Sequence, residues 1–338
     1  MTAPSNLKEA IVEYCSEIGR DSLLVQGAGG NVSWKEGGTL WVKASGTWLA
    51  EASEKNIFVP VNLHHLRKEI DAGNFEVTPK LIGESILRPS IETLLHALMP
   101  HRVVVHLHAI EVLSFMVRDS CFSELKSTLR DSIRWTIVDY HKPGAGLAAA
   151  VNTALSEGEG TDVVFLKNHG VVIGAGTIKG VASILDKLLT DLKFTPINKY
   201  TEVSKDIQQV VEEYTLFQDR EVQQLAVNSA FFKFLENRWV LYPDHVVFLG
   251  AKARIYKSFD AFKEEVGAGN EKSDLVFVLG VGVFVTPDFN SAKAAQLRCY
   301  YDVLIRQSRD FKMKPLNTAQ IEGLLNWDAE RYRKKISK

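Results

Sequence analysis

Cysteine is scarce in this chain, with three residues among 338. Cys15, Cys121 and Cys299 lie far apart and are odd in number, so their spacing predicts neither a disulfide framework nor a CxxC metal site. Long apolar runs are also missing, since no stretch approaches the roughly 18 residues of a membrane span. No basic segment followed by an apolar run marks a signal peptide. We therefore expect a protein of a reducing, cytoplasmic compartment.

An excess of charge of one sign is also lacking. Lys and Arg total 40 and Asp and Glu total 41, for a formal net charge of −1. Because there is no global basic field, we expect neither nucleic acid nor a membrane as a partner. The short basic run at 331–335 is typical of the solvated end of a helix. The 46% hydrophobic content is ample for a core, and the length suggests one large domain or two smaller ones.

Apolar spacing predicts alternating helices and strands, which indicates a mixed α/β protein. In the first half, we expect helices at 6–18, 90–98, 148–155 and 179–192, and strands at 39–43, 103–108 and 163–166. Periodicity weakens around Pro196, which predicts a boundary near residue 200. In the second half, we expect strands at 245–249 and 275–285, and helices at 259–266, 291–306 and 318–335. No low-complexity linker separates the halves, so we expect them to pack together.

Three histidines form the sharpest chemical signal. His106 and His108 follow a β-branched run, and residues two apart on a strand face the same side. His169 follows the predicted buried strand 163–166, where α/β sheets place functional groups. Three histidines with an open fourth position are typical of a catalytic zinc site. Taken singly, each motif is compatible with structural histidines that merely have hydrogen-bond partners.

Other candidate residues are weaker when taken one at a time. Glu92 comes one turn into the predicted helix after Pro89, where it could be a general base or a glutamate that the helix dipole favours. The glycine-rich turn at 27–31 could let backbone N–H groups approach an anion. The segment 43–46 adds the amine of Lys43 and the hydroxyl of Ser45. Taken alone, either segment is more typical of an ordinary turn than of a binding site.

In combination and in this order, these motifs resemble the class II aldolase/adducin family over roughly residues 5–195. The family includes fuculose- and rhamnulose-phosphate aldolases and ribulose-phosphate 4-epimerase. The resemblance implies a central β-sheet flanked by helices. The matching segments are Gly29-Gly30-Asn31-Val32-Ser33, Lys43-Ala44-Ser45-Gly46, Pro89-Ser90-Ile91-Glu92, His106-Leu107-His108 and Asn168-His169-Gly170.

The resemblance also implies roles for individual residues. It makes His106, His108 and His169 ligands of Zn²⁺ or another divalent metal, and Glu92 the catalytic acid/base. It implies a small sugar-derived substrate and a homo-oligomer, and the chemistry needs no nucleotide cofactor. The residues expected around the substrate and its phosphate are Gly29, Gly30, Asn31, Lys43, Ser45, Gly46 and Ser90.

The sequence departs from fuculose-phosphate aldolase in three ways. Ala28 and Ile91 stand where that enzyme has hydroxyl residues, which leaves a carboxylate substrate as an alternative to a phosphate. That aldolase also uses a tyrosine acid shortly after its HxH strand, and 115–134 contains no tyrosine. Tyr140 or His141 could serve instead.

The second half is similar to the region that follows the aldolase module in aldolase–dehydrogenase fusions. The matching segments are 242–246 and 278–284. Gly280-Val281-Gly282 lies between predicted strands with no helix after it, so we do not interpret it as a dinucleotide fingerprint. Asp244 and His245 could form a catalytic dyad, although a turn before a strand is the more ordinary interpretation. We expect residues 1–200 to be the catalytic domain and 201–338 an α/β accessory region that supports and covers it.

Three functions remain open from the sequence. The first is a metal-dependent aldolase, in which the metal stabilises the enediolate left by C–C cleavage while Glu92 moves protons. The second is a 4-epimerase that uses the same metal and the same cleavage but keeps the fragments. The third is a non-catalytic, adducin-like scaffold, which would have no need of three histidines and Glu92.

Overall fold

Seven strands in the first half of the chain form one mixed sheet. The computed structural model describes residues 7–129, 132–158, 160–196, 213–267, 272–308, 312–325, 327–328, 332 and 336. The sheet order is β3-β2-β1-β4-β7-β6-β5, and every neighbouring pair is antiparallel except β5 and β6. The strands are β1 (Asn31–Glu36), β2 (Thr39–Lys43), β3 (Phe58–Asn62), β4 (Val103–Leu107), β5 (Trp135–Val138), β6 (Val163–Leu166) and β7 (Gly170–Ala175).

Helices cover both faces of this sheet. Side chains on β4 alternate: Val103 and Val105 enter the core on one face, and Val104 enters the core on the other. This confirms the predicted α/β fold with a flanked central sheet. The helices on the first face are α1 (Leu7–Arg20), α4 (Ile110–Met116), α5 (Cys121–Leu129) and α7 (Ile178–Asp191), and those on the second are α2 (Leu63–Asp71), α3 (Thr93–Leu98) and α6 (Ala145–Glu157).

The second half forms a smaller four-stranded sheet with its own helices. The sheet order is β8-β11-β10-β9, and cores lie on both of its faces. The strands are β8 (Thr215–Leu216), β9 (Ile255–Tyr256), β10 (Leu275–Val278) and β11 (Gly282–Val285). The helices are α8 (Gln224–Val227), α9 (Ser229–Asn237), α10 (Pro243–Leu249), α11 (Phe259–Gly267), α12 (Ser291–Leu304) and α13 (Thr318–Leu325).

Helix α4 belongs to the cores of both halves. Val112 and Met116 pack into the core of the large sheet, while Ile110 and Leu113 pack into the core of the second half. Every residue of this helix except Glu111 is buried. A helix that is apolar on nearly all sides is buried from all sides, so the two halves share a continuous interior, as the missing linker predicts.

Several predicted elements differ from the structure. The predicted strand 245–249 is wrong, because these residues belong to α10. Pro243 has the fixed φ that suits the first position of a helix, and burial of both faces hides the helical periodicity of the valine run. The predicted strand 275–285 is two strands, since Gly280 turns the chain at φ 72°.

Two further boundaries need comment. The predicted helix 90–98 is shorter, because α3 begins at Thr93 and Glu92 is its N-cap residue. The predicted boundary near residue 200 falls within 197–212 and lies outside the described residues, as do most of 329–335. Among the described residues, no helix combines the length and the apolar character needed to cross a bilayer.

Asn168 ties the turn between β6 and β7 to the second half. Its backbone adopts the left-handed region at φ 53°, which asparagine tolerates better than most residues. Its side-chain Nδ2 donates to the carbonyl oxygens of Leu241 and Lys314, both at 2.8 Å. One amide therefore satisfies two carbonyls of the second half while it holds the turn that carries His169.

We expect replacement of Asn168 to destabilise the whole chain. Asn168→Gly keeps the backbone conformation but leaves two carbonyls without their donor, which should lower the free energy of unfolding by about 2–3 kcal/mol. Asn168→Ala should cost about 1 kcal/mol more, because alanine is strained at positive φ. Urea denaturation with a chelator present measures both. Asn237→Ala, whose exposed amide bonds only Lys233, is the control; equal stability of all variants would contradict the assignment.

Candidate metal centre

Neighbouring strands bring the three histidines together. His106 lies on β4, His108 follows the end of that strand, and His169 lies in the turn between β6 and β7, which pairs with β4. All three are buried, and their ring centroids are 4.9–5.3 Å apart. Their ligand nitrogens lie within 4.8 Å of one another. Among the described residues, these three histidines form a group of potential ligands that could hold a metal ion.

Two glycines permit the close approach of the strands. A Cβ on Gly170 would lie 2.3 Å from the carbonyl oxygen of Leu107, so no other residue fits between β7 and the end of β4. Gly30 has φ +63°, and a Cβ there would lie 2.9 Å from the carbonyl oxygen of His106. Glycine is therefore required at positions 30 and 170 for a steric reason, since a side chain there would collide with the backbone beside the histidines.

Polar contacts behind the rings of His106 and His108 decide which nitrogen these two imidazoles present. The Nδ1 of His106 lies 3.0 Å from the carbonyl oxygen of Val171, so it carries the proton and donates it. The Nδ1 of His108 lies 3.3 Å from the carboxylate oxygen Oδ2 of Asp244. Both rings consequently turn their Nε2 atoms inward, and these are 3.2 Å apart.

This arrangement fits a bound cation. Burial lowers the pKa of His106, and it lowers the pKa of His169 to about 3, so both rings are neutral near pH 7. The Nε2 atoms of His106 and His108 approach each other to 3.2 Å, so the two rings direct the same nitrogen towards one point. Nitrogen ligands of a tetrahedral zinc ion lie about 3.4 Å apart. The donor set and spacing therefore suit a zinc-like divalent ion.

Glu92 faces this cluster. Its Oε1 lies 3.2 Å from Nε2 of His169, and its Oε2 lies 3.4 Å from Nε2 of His106. Oε2 also accepts a hydrogen bond of 2.9 Å from Nδ2 of Asn31. Burial raises the pKa of this carboxyl, but the three imidazoles and the Asn31 amide outweigh it and lower the pKa to about 2. Glu92 is therefore a carboxylate at neutral pH, held against the histidines.

A hydrogen-bonded chain orients the Asn31 amide. Nε2 of the fully buried His96 donates to Oδ1 of Asn31, and Nδ1 of His96 lies 2.7 Å from Oγ of Ser33. Burial lowers the pKa of His96 to about 3, so the ring has one donor and one acceptor, as this chain requires. Sequence analysis missed His96. Its signal is the four-residue spacing from Glu92, since residues four apart lie on one side of the predicted helix at 90–98.

Most of the predicted site residues line one small cavity of about 30 Å³. His106 and Gly29 do not line it but lie next to residues that do. Nε2 of His106 is 3.4 Å from Oε2 of Glu92, and a Cβ on Gly29 would be 3.2 Å from Nδ1 of His108. The lining comprises Ala28, Gly30, Asn31, Lys43, Ser45, Gly46, Ser90, Ile91, Glu92, His108, Pro143, His169 and Asp244.

The second half of the chain contributes Asp244 to this cavity. The interpretation of Asp244 and His245 as a turn before a strand is wrong, since both lie in the first turn of α10. They do not form a dyad either: the His245 ring packs 4.2 Å from that of Trp239, away from the cavity. Tyr140 and His141, the candidates for the missing acid, are not among the residues that line it.

We expect the chain to bind one zinc-like ion per molecule, and His106→Ala to abolish stoichiometric binding. The reason is that His106 supplies one of three converging nitrogens. Metal content after equilibrium dialysis measures this, with circular dichroism to check the fold. His64→Ala removes an exposed histidine and is the matched control. Full occupancy in the His106 variant would overturn the ligand assignment.

Comparison with known proteins agrees with the motifs. A curated relative from Bacillus subtilis (strain 168), named uncharacterized oxidoreductase YuxG, is 28% identical over 180 residues. The match covers 48% of this chain and 26% of the relative, so the chain spans about a quarter of that protein's length.

Solved structures include similar chains. The N-terminal class II aldolase domain of a conserved protein from Thermoplasma acidophilum is 24% identical, with a TM-score of 0.49, covering 57% of this chain and 95% of that chain. An L-fuculose 1-phosphate aldolase is 18% identical, with a TM-score of 0.42, covering 56% of this chain and 85% of that chain.

The family model decides the assignment. The model described as the class II aldolase and adducin N-terminal domain matches residues 9–186, which is more than half of the 338 residues. This match confirms the resemblance that the ordered motifs indicate. The chain belongs to the class II aldolase and adducin N-terminal domain family.

Proposed function

We propose that this protein is a zinc-dependent aldolase that cleaves or forms a C–C bond in a ketose phosphate or related sugar-derived substrate. The observation that carries the proposal is the Glu92 carboxylate, which lies within 3.4 Å of two of three converging histidine nitrogens at a small cavity. We further propose that the enzyme acts in the cytoplasm as a homo-oligomer. Residues 1–200 would be the catalytic domain.

The chemistry divides between the ion and the protein. A bound divalent ion supplies Lewis-acid stabilisation of the negative charge that C–C cleavage leaves on substrate oxygens. Glu92 would move the proton, because it is the carboxylate that lies against the histidines that would hold the ion. Asn31 holds one Glu92 oxygen by a 2.9 Å hydrogen bond and leaves Oε1 for proton transfer. Glu92 and the three histidines are buried, which strengthens these electrostatic interactions.

The other side of the cavity suits an anionic group. Lys43 is buried, and its ammonium donates to the carbonyl oxygens of Ala28 at 3.3 Å and Thr47 at 2.6 Å. Ser45, Gly46 and Ser90 supply neighbouring donors. The substrate anion would be a phosphate, or a carboxylate because Ala28 and Ile91 provide no hydroxyl.

A larger groove adjoins the metal cavity. It has a volume of about 680 Å³ and shares Ser90 and Ile91 with the smaller cavity. Arg88 and Trp327 lie along it. A cavity of about 30 Å³ holds little more than the reacting atoms, so the groove would take the part of the substrate remote from the cleaved bond.

A 4-epimerase is the second candidate. It would use the same metal and the same cleavage, followed by rotation of one fragment and rejoining. The small volume of the cavity, about 30 Å³, favours it in one respect, since the fragments must stay close together until they recombine. A non-catalytic scaffold is disfavoured, because it has no use for a carboxylate held against three buried histidines.

The decisive experiment incubates the zinc-loaded protein with ketose phosphates, free ketoses and sugar acids, and analyses the products by mass spectrometry. An aldolase yields two shorter fragments, and an epimerase yields an isomer of unchanged mass. We expect Glu92→Gln to keep zinc but lose about 10²–10⁴-fold in kcat, because the amide cannot accept the proton.

The control for this variant is Glu9→Gln, which changes an exposed first-turn glutamate of α1. A Glu92 variant within twofold of the wild-type rate would show that another group moves the proton. Absence of both fragments and isomers with every substrate would favour the scaffold.

We expect Ser45→Ala to raise KM for the anionic substrate about tenfold or more, since a hydrogen bond to a charged group contributes about 1.5–3 kcal/mol. An analogue that lacks the anion should show little change, and kcat should stay near its wild-type value. Steady-state kinetics with both substrates measure the difference, and Ser53→Ala, at an exposed position, is the control. Equal effects on both substrates would assign Ser45 to the structure of the loop only.

A further inference from the structure

A carboxylate from the second half of the chain reaches the metal centre of the first. Asp244 lies in the first turn of α10, directly after Pro243, and is 3% exposed. Its Oδ2 lies 3.3 Å from Nδ1 of His108 and 3.4 Å from Nε2 of Gln296 on α12. Two elements of the second half thus hold this oxygen beside a histidine of the first.

The position of Asp244 on the ring separates its role from that of a ligand. Nε2 of His108 faces Nε2 of His106, while Asp244 contacts the opposite ring nitrogen. The cluster of convergent ligand atoms contains the three histidines and not Asp244. Its carboxylate oxygen is therefore placed to accept the Nδ1 proton from the far side of the ring.

Local structure makes room for this contact and keeps it in place. A Cβ on Gly29 would lie 3.2 Å from Nδ1 of His108 and 3.4 Å from Oδ2 of Asp244, so a side chain there would crowd the pair. The neighbouring His245 anchors α10 by packing 4.2 Å from the Trp239 ring and 4.7 Å from the Tyr300 ring.

We infer that Asp244 is a positioning residue for the metal ion, and that the second half of the chain completes the metal site through it. By accepting the Nδ1 proton, the carboxylate selects the tautomer with Nε2 unprotonated, orients the ring towards the ion and makes Nε2 a better donor. The inference rests on the proposed metal site but not on which reaction the enzyme catalyses.

The test measures zinc affinity by competition with a chromogenic chelator, without substrate. We expect Asp244→Ala to weaken zinc binding about 10–100-fold, as loss of such a carboxylate partner typically does. Asp244→Asn keeps an oxygen that can accept the Nδ1 proton but removes the charge, so its affinity should fall between those of the wild type and the alanine variant.

Asp260→Ala is the matched control. Asp260 is also an acidic residue in the first turn of a helix of the second half. Its side chain is exposed and forms an ion pair with Lys263. Its replacement should leave zinc affinity within twofold of the wild type. Circular dichroism and thermal unfolding of the metal-free variants check the fold, and the nearly isosteric asparagine variant still answers the question if the alanine variant unfolds.

A second readout follows the proton itself. In the zinc-loaded protein, nitrogen-detected NMR should show an Nδ1 proton on His108 that exchanges slowly with water. In the Asp244→Ala variant, the signal of this proton should be absent or should exchange rapidly. Wild-type zinc affinity in both Asp244 variants would overturn the inference. So would wild-type affinity combined with lost turnover, because Asp244 would then act on the substrate. Failure of the aldolase assignment would leave these metal measurements unchanged, so the two proposals fail separately.

Discussion

The pairing of β4 with its two neighbours is the constraint on which the site depends. His106 lies opposite Asn31 on β1 and opposite Val172 on β7. The first pairing puts the amide that holds Glu92 beside one of the clustered imidazoles, and the second brings the turn with His169 to the end of β4. A slip of one residue in either register would send these side chains to the opposite face of the sheet.

Placement and orientation have different sources in this site. The sheet places the imidazoles, but acceptors behind the rings decide which nitrogen points inward. For His106 the acceptor is the backbone carbonyl oxygen of Val171, so it follows from the fold alone. For His108 the acceptor is the side chain of Asp244, which the second half supplies. One ring is therefore oriented by the sheet that carries it, and the other depends on packing between the halves.

The sequence predicts the fold class, the family and the identity of the clustered residues because these depend on local patterns. Alternation on β4 and the spacing of His106 and His108 follow from strand geometry. The helix at 243–249 could not be predicted in this way, because burial on several sides removes the polar face that marks a helix. The place of Asp244 depends on contacts across 136 positions of chain from His108, which no local pattern encodes. Zinc, the substrate and the domain boundary remain predictions.

The double burial of α4 has a consequence for folding. Since Ile110 and Leu113 pack against the second half while Val112 and Met116 pack against the first, neither core can open without exposing apolar surface of this helix. Cooperative units in native-state hydrogen exchange follow such shared packing. The amides of α4 should therefore exchange only when both halves open together, which makes the histidine cluster and the second sheet parts of one cooperative unit.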